Sequence, residues 1–199
     1  SFPTRRSSDL GGNFYNNTVA DNSSVTAYSG MIMTGGTAVN NIIYGNVGDG
    51  DLIVSGGTFK TNVVGTAAYS GGTVDGNIPA DPLFKDAATA DYTIGFDSPA
   101  FDAGVAITDV TRDLVGTARP QGDANDIGCY EYVADVSSLQ AAIVVSQSEY
   151  GSGDTAGATS RVVGGSGTYL YAWYLDGALL EGETGDTLSL PASQVRSEE

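Results

Sequence analysis

Seven residues, "GGTAVNN", begin at Gly35 and return as "GGTFKTN" at Gly56, with further copies "GGNFYNN" at Gly11 and "GGTVDGN" at Gly71. A fixed template repeated at short period constrains a fold more than composition does, because each unit must bury its apolar side against its neighbours. The closing asparagines are Asn17, Asn41, Asn62 and Asn77, at intervals of 24, 21 and 15 by subtraction. Unequal intervals between equal templates predict loops of different length joining equivalent turns.

The fourth template column is apolar throughout, as Phe14, Ala38, Phe59 and Val74, and two residues past the asparagine stand Val19, Ile43 and Val64 before Pro79 ends the series. The odd separation of these two columns interrupts strand alternation once, at the asparagine. Asparagine enters the left-handed region readily and so suits a tight bend there. If units stack in parallel register about 4.7–4.9 Å apart, the asparagine amides hydrogen-bond up and down the stack as a ladder. Such a ladder sets register at about 1 kcal/mol per bond. Burial of the large apolar columns, at about 1.5–3 kcal/mol per side chain, supplies most of the stability. The pattern predicts an all-β solenoid, a parallel β-helix. Antiparallel hairpins are the alternative, since glycine and asparagine doublets also punctuate hairpins, but in-register columns favour stacking.

Four further pieces, "DPLF", "DSPAFDAG", "RDLVGTARP" and "DIGCYEY", follow the repeats in that order. In residues 11–133 they resemble the C-terminal part of right-handed parallel β-helix proteins of the pectate-lyase-like superfamily, and above all bacterial surface proteins of the choice-of-anchor type. The resemblance implies repeat coils over 11–79 and a cap segment over 80–133, with Leu83, Phe84, Tyr92, Ile94, Phe101, Ile127 and Tyr130 covering the open end. It implies no catalytic residue here, because the superfamily's enzymes draw theirs from earlier coils. Over 134–199, "TYLYAWYLDGALL" reads as strand, turn and strand. It resembles immunoglobulin-like or PKD-like modules, with Tyr169, Tyr171 and Trp173 alternating, a turn at Asp176 and Gly177, and Trp173 in the core. Against about 100 residues for a complete module, this one is expected to be truncated.

The opening string "SFPTRRSSDL" fits none of this. It resembles a translated sequencing adapter, so residues 1–10 are expected to be an artefact or a disordered arm, and the protein a fragment.

The chain carries 8 basic against 24 acidic residues, a net charge of −16, and leaving out Arg5, Arg6 and Asp9 gives 6 against 23, or −17. That balance offers no counter-charge to nucleic acid or anionic lipid. No uninterrupted apolar stretch is long enough to span a bilayer, so no membrane insertion is expected. Histidine is absent, which removes imidazole chemistry, and Cys129 is the sole cysteine and reads as a small buried residue.

The remaining candidates are modest. Asp123, Asn125 and Asp126 in "GDANDIG" offer closely spaced oxygens for calcium, although an Asx-stabilised turn is the default reading, and Asp49 and Asp51 form a second carboxylate pair that reads by default as a solvated loop between coils. Tyr15 and Tyr44 are candidate glycan contacts, with Tyr28 and Tyr69 less clearly placed. Arg112 and Arg119 are expected to pin the cap by ion pairing. The expected function is an adhesin, stalk or glycan-binding module of a secreted or cell-surface bacterial protein, meeting extracellular glycans or surface proteins. The alternative is a polysaccharide lyase or glycoside hydrolase with its catalytic coils upstream.

Overall fold

A computed structural model describes residues 12–23, 30–48, 50–134, 140–145, 155–163, 169–175 and 178–191. The chain divides into two compact units, Ser1–Val133 and Ala134–Glu199. Residues 1–11, Tyr28, Asp49, Asp176 and Gly177, which carry several sequence expectations, lie outside the described residues.

The first unit opens with short strands in a repeating order: β1 (Asn13–Tyr15), β2 (Thr18–Ala20) and β3 (Met31–Met33), then β4 (Thr37–Val39), β5 (Ile42–Tyr44) and β6 (Leu52–Val54). A third round follows as β7 (Thr58–Lys60), β8 (Val63–Val64) and β9 (Ala67–Tyr69), and β10 (Thr73–Asp75) begins a fourth. Each round is a coil that gives one strand to each of three parallel sheets, ordered β1-β4-β7-β10, β2-β5-β8 and β3-β6-β9. The register aligns Phe14 with Ala38, Ala38 with Phe59, and Phe59 with Val74. Parallel strands stacked in this way are consistent with a β-helix.

Three-residue strands suit a closed coil because only every second side chain points inward. The middle residue faces in for the first two sheets, so Ala38, Phe59, Ile43 and Val64 meet Met31, Met33, Leu52 and Val54 of the third in one core. Phe59, Ile43, Leu52 and Val54 are fully buried. The glycine doublets turn the chain from the third sheet back to the first. Gly36, Gly57 and Gly72 have φ of +79°, +83° and +83°. A Cβ on Gly57 would fall 2.5 Å from the Gly36 carbonyl oxygen, so the doublet is the only pair that lets successive coils approach.

At the asparagine bend the positive φ belongs to the residue before the ladder asparagine: Asn16 (51°), Asn40 (58°), Thr61 (54°) and Gly76 (58°). This corrects the expectation that the ladder residue itself takes the left-handed turn. Its side chain must lie along the stack, and the preceding residue takes the bend.

Residues 80–133 follow a different course from an end cap. They carry the antiparallel pair β11 (Phe84–Asp86) and β12 (Asp91–Ile94), joined by a short 3-10 turn over Ala87–Thr89. The segment then packs along the outer side of the β2-β5-β8 sheet. Gly128 N–H donates to Asn40 O (2.8 Å), and Cys129 N–H donates to Thr18 Oγ1 (3.1 Å). Asn16 Nδ2 donates to Asp126 O (3.0 Å), and Asn40 exchanges hydrogen bonds with Val105 in both directions (2.7 and 3.0 Å). Ile42, on the outer side of that sheet, lies against Gly128 and is 1% exposed, which gives a physical reason for the course. The last coil stays open: every residue of β10 is exposed. Among the expected covering residues, Ile94, Phe101 and Ile127 are buried, whereas Leu83 is 45% exposed.

The second unit contains an antiparallel sheet β13-β14-β17, built from Gln140–Val145, Thr155–Val163 and Thr187–Pro191. Beside it a two-strand ribbon joins β15 (Tyr174–Leu175) to β16 (Ala178–Leu179). Trp173 is buried, and its Nε1 donates to Gly185 O (2.9 Å). Residues 169–173 form no strand, so the alternating aromatic strand read from the sequence is not present; the ribbon begins one residue past the tryptophan.

Candidate functional site

The ladder is continuous. Asn17 N and Nδ2 donate to Asn41 Oδ1 (2.9 and 3.0 Å). Asn41 N and Nδ2 donate to Asn62 Oδ1 (2.8 and 2.9 Å), and Asn62 N and Nδ2 donate to Asn77 Oδ1 (3.0 and 2.9 Å). Each inner amide also donates to the strand carbonyls around it, as Asn62 Nδ2 does to Lys60 O (2.8 Å) and Ala38 O (3.2 Å). Asn41 and Asn62 are 1% and 0% exposed.

A second ladder, which the sequence reading missed, runs beside the first. Asn22 N and Nδ2 donate to Asn46 Oδ1 (3.2 and 2.9 Å), and Asn46 N and Nδ2 donate to Asp51 Oδ1 (2.6 and 2.8 Å). Thr66 N–H donates to Asp51 Oδ2 (2.8 Å), so the carboxylate ends the ladder where the third coil offers no asparagine. The signal was present: Asn22 and Asn46 each stand five residues after a first-ladder asparagine. Asp51, read as half of a carboxylate pair, is thus a buried ladder terminus whose oxygens are taken by backbone and amide donors.

The lateral segment is held by a buried ionic network. Arg119 Nη1 donates to Glu131 Oε2 (2.6 Å) and Asp126 O (2.9 Å), and its Nη2 donates to Gly128 O (2.8 Å). Both side chains of the ion pair are 1% exposed. Arg112 reaches only Gly116 O within its own turn (2.7 Å). Arg119 therefore occupies the pinning position expected of both arginines.

Of the calcium candidates, Asp123 is exposed and Asn125 Nδ2 donates to Val105 O (3.2 Å). Asp126 Oδ1 and Oδ2 accept from Asp102 N–H (2.7 Å) and Tyr132 N–H (2.6 Å). The Asn125 and Asp126 side chains thus have separate partners. Among the described residues no three His, Cys, Asp or Glu side chains gather as a metal site.

Burial pushes the Asp126 carboxyl up to about 7 against the pull of those two N–H groups, with nearby Glu131 and Asp102 adding to the rise. Burial likewise raises Glu131, opposed by the Gln121 N–H and the Arg119 guanidinium. Asp113 behaves oppositely. Burial favours its neutral form, but N–H donors of Glu131, Thr117 and Val115 outweigh it and hold the carboxyl below the usual range.

Tyr15 lies on β1 and Tyr44 on β5, in different sheets. Burial raises the Tyr44 hydroxyl pKa, and so does Asp81, to which it is hydrogen-bonded. Cys129 is partly buried and its thiol is pushed up, chiefly by burial, which disfavours a nucleophilic thiolate. Lys60 is exposed on β7 beside Asp75 of β10. A shallow open depression at the last coil is lined by Val64, Tyr69, Val74, Asp75, Asn77 and Pro79.

Among the described residues no helix is long and apolar enough to cross a membrane. Comparisons with family models, with curated proteins and with solved structures found no match to the chain.

Proposed function

We propose that this chain is a structural and glycan- or protein-binding module of a secreted or cell-surface bacterial protein, formed by a right-handed parallel β-helix followed by an immunoglobulin-like module. One observation carries the reading: seven polar side chains along the coils are spent on one another. Asn17, Asn41, Asn62 and Asn77 form one ladder, and Asn22, Asn46 and Asp51 form a second. General acid–base catalysis needs polar groups free to converge on a substrate proton. Ladder groups already occupied along the stack serve rigidity, which suits a stalk or an adhesive column. The order of sequence motifs in 80–133 supports the surface-protein setting.

The test is an ultraviolet assay for unsaturated products on pectate and alginate, with a neutral glycan as control, run beside a glycan-binding array. Glycan binding without turnover is the expected result. Turnover on a uronic-acid polymer that Lys60→Ala abolishes would replace this reading with a polysaccharide lyase, because Lys60 is the cation that the coils contribute.

A further inference from the structure

We propose that the open end of the coil stack is a self-association surface, at which β10 of one chain pairs antiparallel with β10 of a second copy about a two-fold axis through Val74. Thr73 N–H donates to Gly57 O (2.8 Å), and Asp75 O accepts from Thr61 N–H (3.1 Å). Both flanking residues thus direct their backbone groups to β7. Alternate residues of a strand bond to opposite sides, so the N–H and C=O of Val74 face the outer edge.

The side chain of Val74 continues the inward column past Phe59, yet it remains 39% exposed. Tyr69 leans on Phe59 with ring centroids 6.4 Å apart and is 47% exposed. Among the described residues an unpaired strand edge and an uncovered apolar core therefore coincide, the combination that solenoids normally cover and that pairs with another strand when left open.

The chemistry of the edge selects the occupant. In an antiparallel hydrogen-bonded pair, two opposed residues exchange both N–H···O=C bonds. Val74 opposite Val74 of the second copy satisfies both chains at once. The same register sets Thr73 opposite Asp75 of the second copy, so the two carboxylates never face each other. A contact of this kind is isologous and closes as a dimer. One coil end buries well under the roughly 1,200 Å² of a standard interface, so association is weak and concentration-dependent. With a net charge of −16 on each chain, it strengthens as salt screens the repulsion.

Sedimentation velocity of the whole chain, from low micromolar to near-millimolar concentration, tests the proposal with two variants. Val74→Pro deletes the outward N–H while leaving the bonds of Thr73 and Asp75 to β7, and it should abolish the dimer. Thr73→Lys places a cation opposite Asp75 of the second copy twice per dimer, and it should tighten association about fivefold at low salt. A tighter discrete dimer, as opposed to a spread of larger species, separates this gain from aggregation of misfolded chain, so the lysine variant decides the matter even if the proline variant fails to fold. A monomer at every concentration, a dimer that survives Val74→Pro in a folded protein, or weaker association of Thr73→Lys would each overturn the proposal.

Discussion

Replacing Asn62 by alanine should be among the most damaging single changes in the first unit. Its side chain takes part in five hydrogen bonds: Oδ1 accepts from Asn41 N and Nδ2, and Nδ2 donates to Ala38 O, Lys60 O and Asn77 Oδ1. The two N–H groups of Nδ2 serve three acceptors, so at about 1 kcal/mol net per bond the loss comes to about 4 kcal/mol, and the buried Asn41 and Ala38 partners are left where water replaces the amide poorly. Asn17→Ala is the internal control. That side chain is exposed and donates only to Tyr15 O and Asn41 Oδ1, so about 1 kcal/mol is expected. Urea unfolding gives the stability difference, and hydrogen exchange at Val63, whose N–H donates to Asn41 O, localises it to the stack. Equal costs for the two variants, or a cost below about 1.5 kcal/mol for Asn62→Ala, would refute the view that the ladder is a buried structural element.

Three further outcomes follow from the geometry. Asp126 titrates near 7 when folded against 3.8 as the ordinary value, so its contribution is complete below pH 4 and is lost as pH rises through about 7. About 3 units correspond to at most about 4 kcal/mol. Urea midpoints should therefore be higher at pH 5 than at pH 8, and Asp126→Asn should flatten that slope even if its amide lowers stability overall. Gly57→Ala should cost more than about 2 kcal/mol because its Cβ would meet Gly36 O at 2.5 Å. Gly116→Ala, also at positive φ but with nothing within 4 Å, should cost about 1 kcal/mol in thermal unfolding. Arg119→Met leaves Glu131 buried without its partner and should cost about 3–5 kcal/mol, with partial recovery in the double variant Arg119→Met/Glu131→Gln, both read by calorimetry.

The stacked columns were legible because they depend on local repetition: Phe14, Ala38, Phe59 and Val74 stand at one template position and meet at one level of each coil. The lateral course of residues 80–133 was not legible, because it depends on pairs far apart in the chain, such as Asn16 with Asp126. A clue lay in the asparagine doublets. The second member of Asn16-Asn17 and of Asn40-Asn41 serves the ladder, and the first serves the lateral segment. Asp51 was misread for a related reason: its spacing to Asp49 is visible in sequence, whereas the missing asparagine that it replaces in the third coil is visible only once strands are in register. The aromatic alternation before Trp173 has strand periodicity but no partner strand at those residues, and only Tyr174 and Leu175 pair.

The lateral segment also determines when this unit can finish folding. Successive coils need only residues 15 to 24 positions apart, so the stack can grow in step with synthesis, each new strand pairing with the one just made. The outer side of the first coil waits far longer, since the Asn16 Nδ2 and the Thr18 hydroxyl meet the Asp126 carbonyl and the Cys129 N–H only when residues 126–129 exist. Closing so long a loop adds little entropy cost beyond a loop of half the length, but it slows the search for contacts. A nascent chain halted near residue 100 would carry a paired stack with Ile42 and the Asn40 amide still waiting for Gly128 and Val105, and that interval is when the outer sheet is most open to a chaperone or a protease.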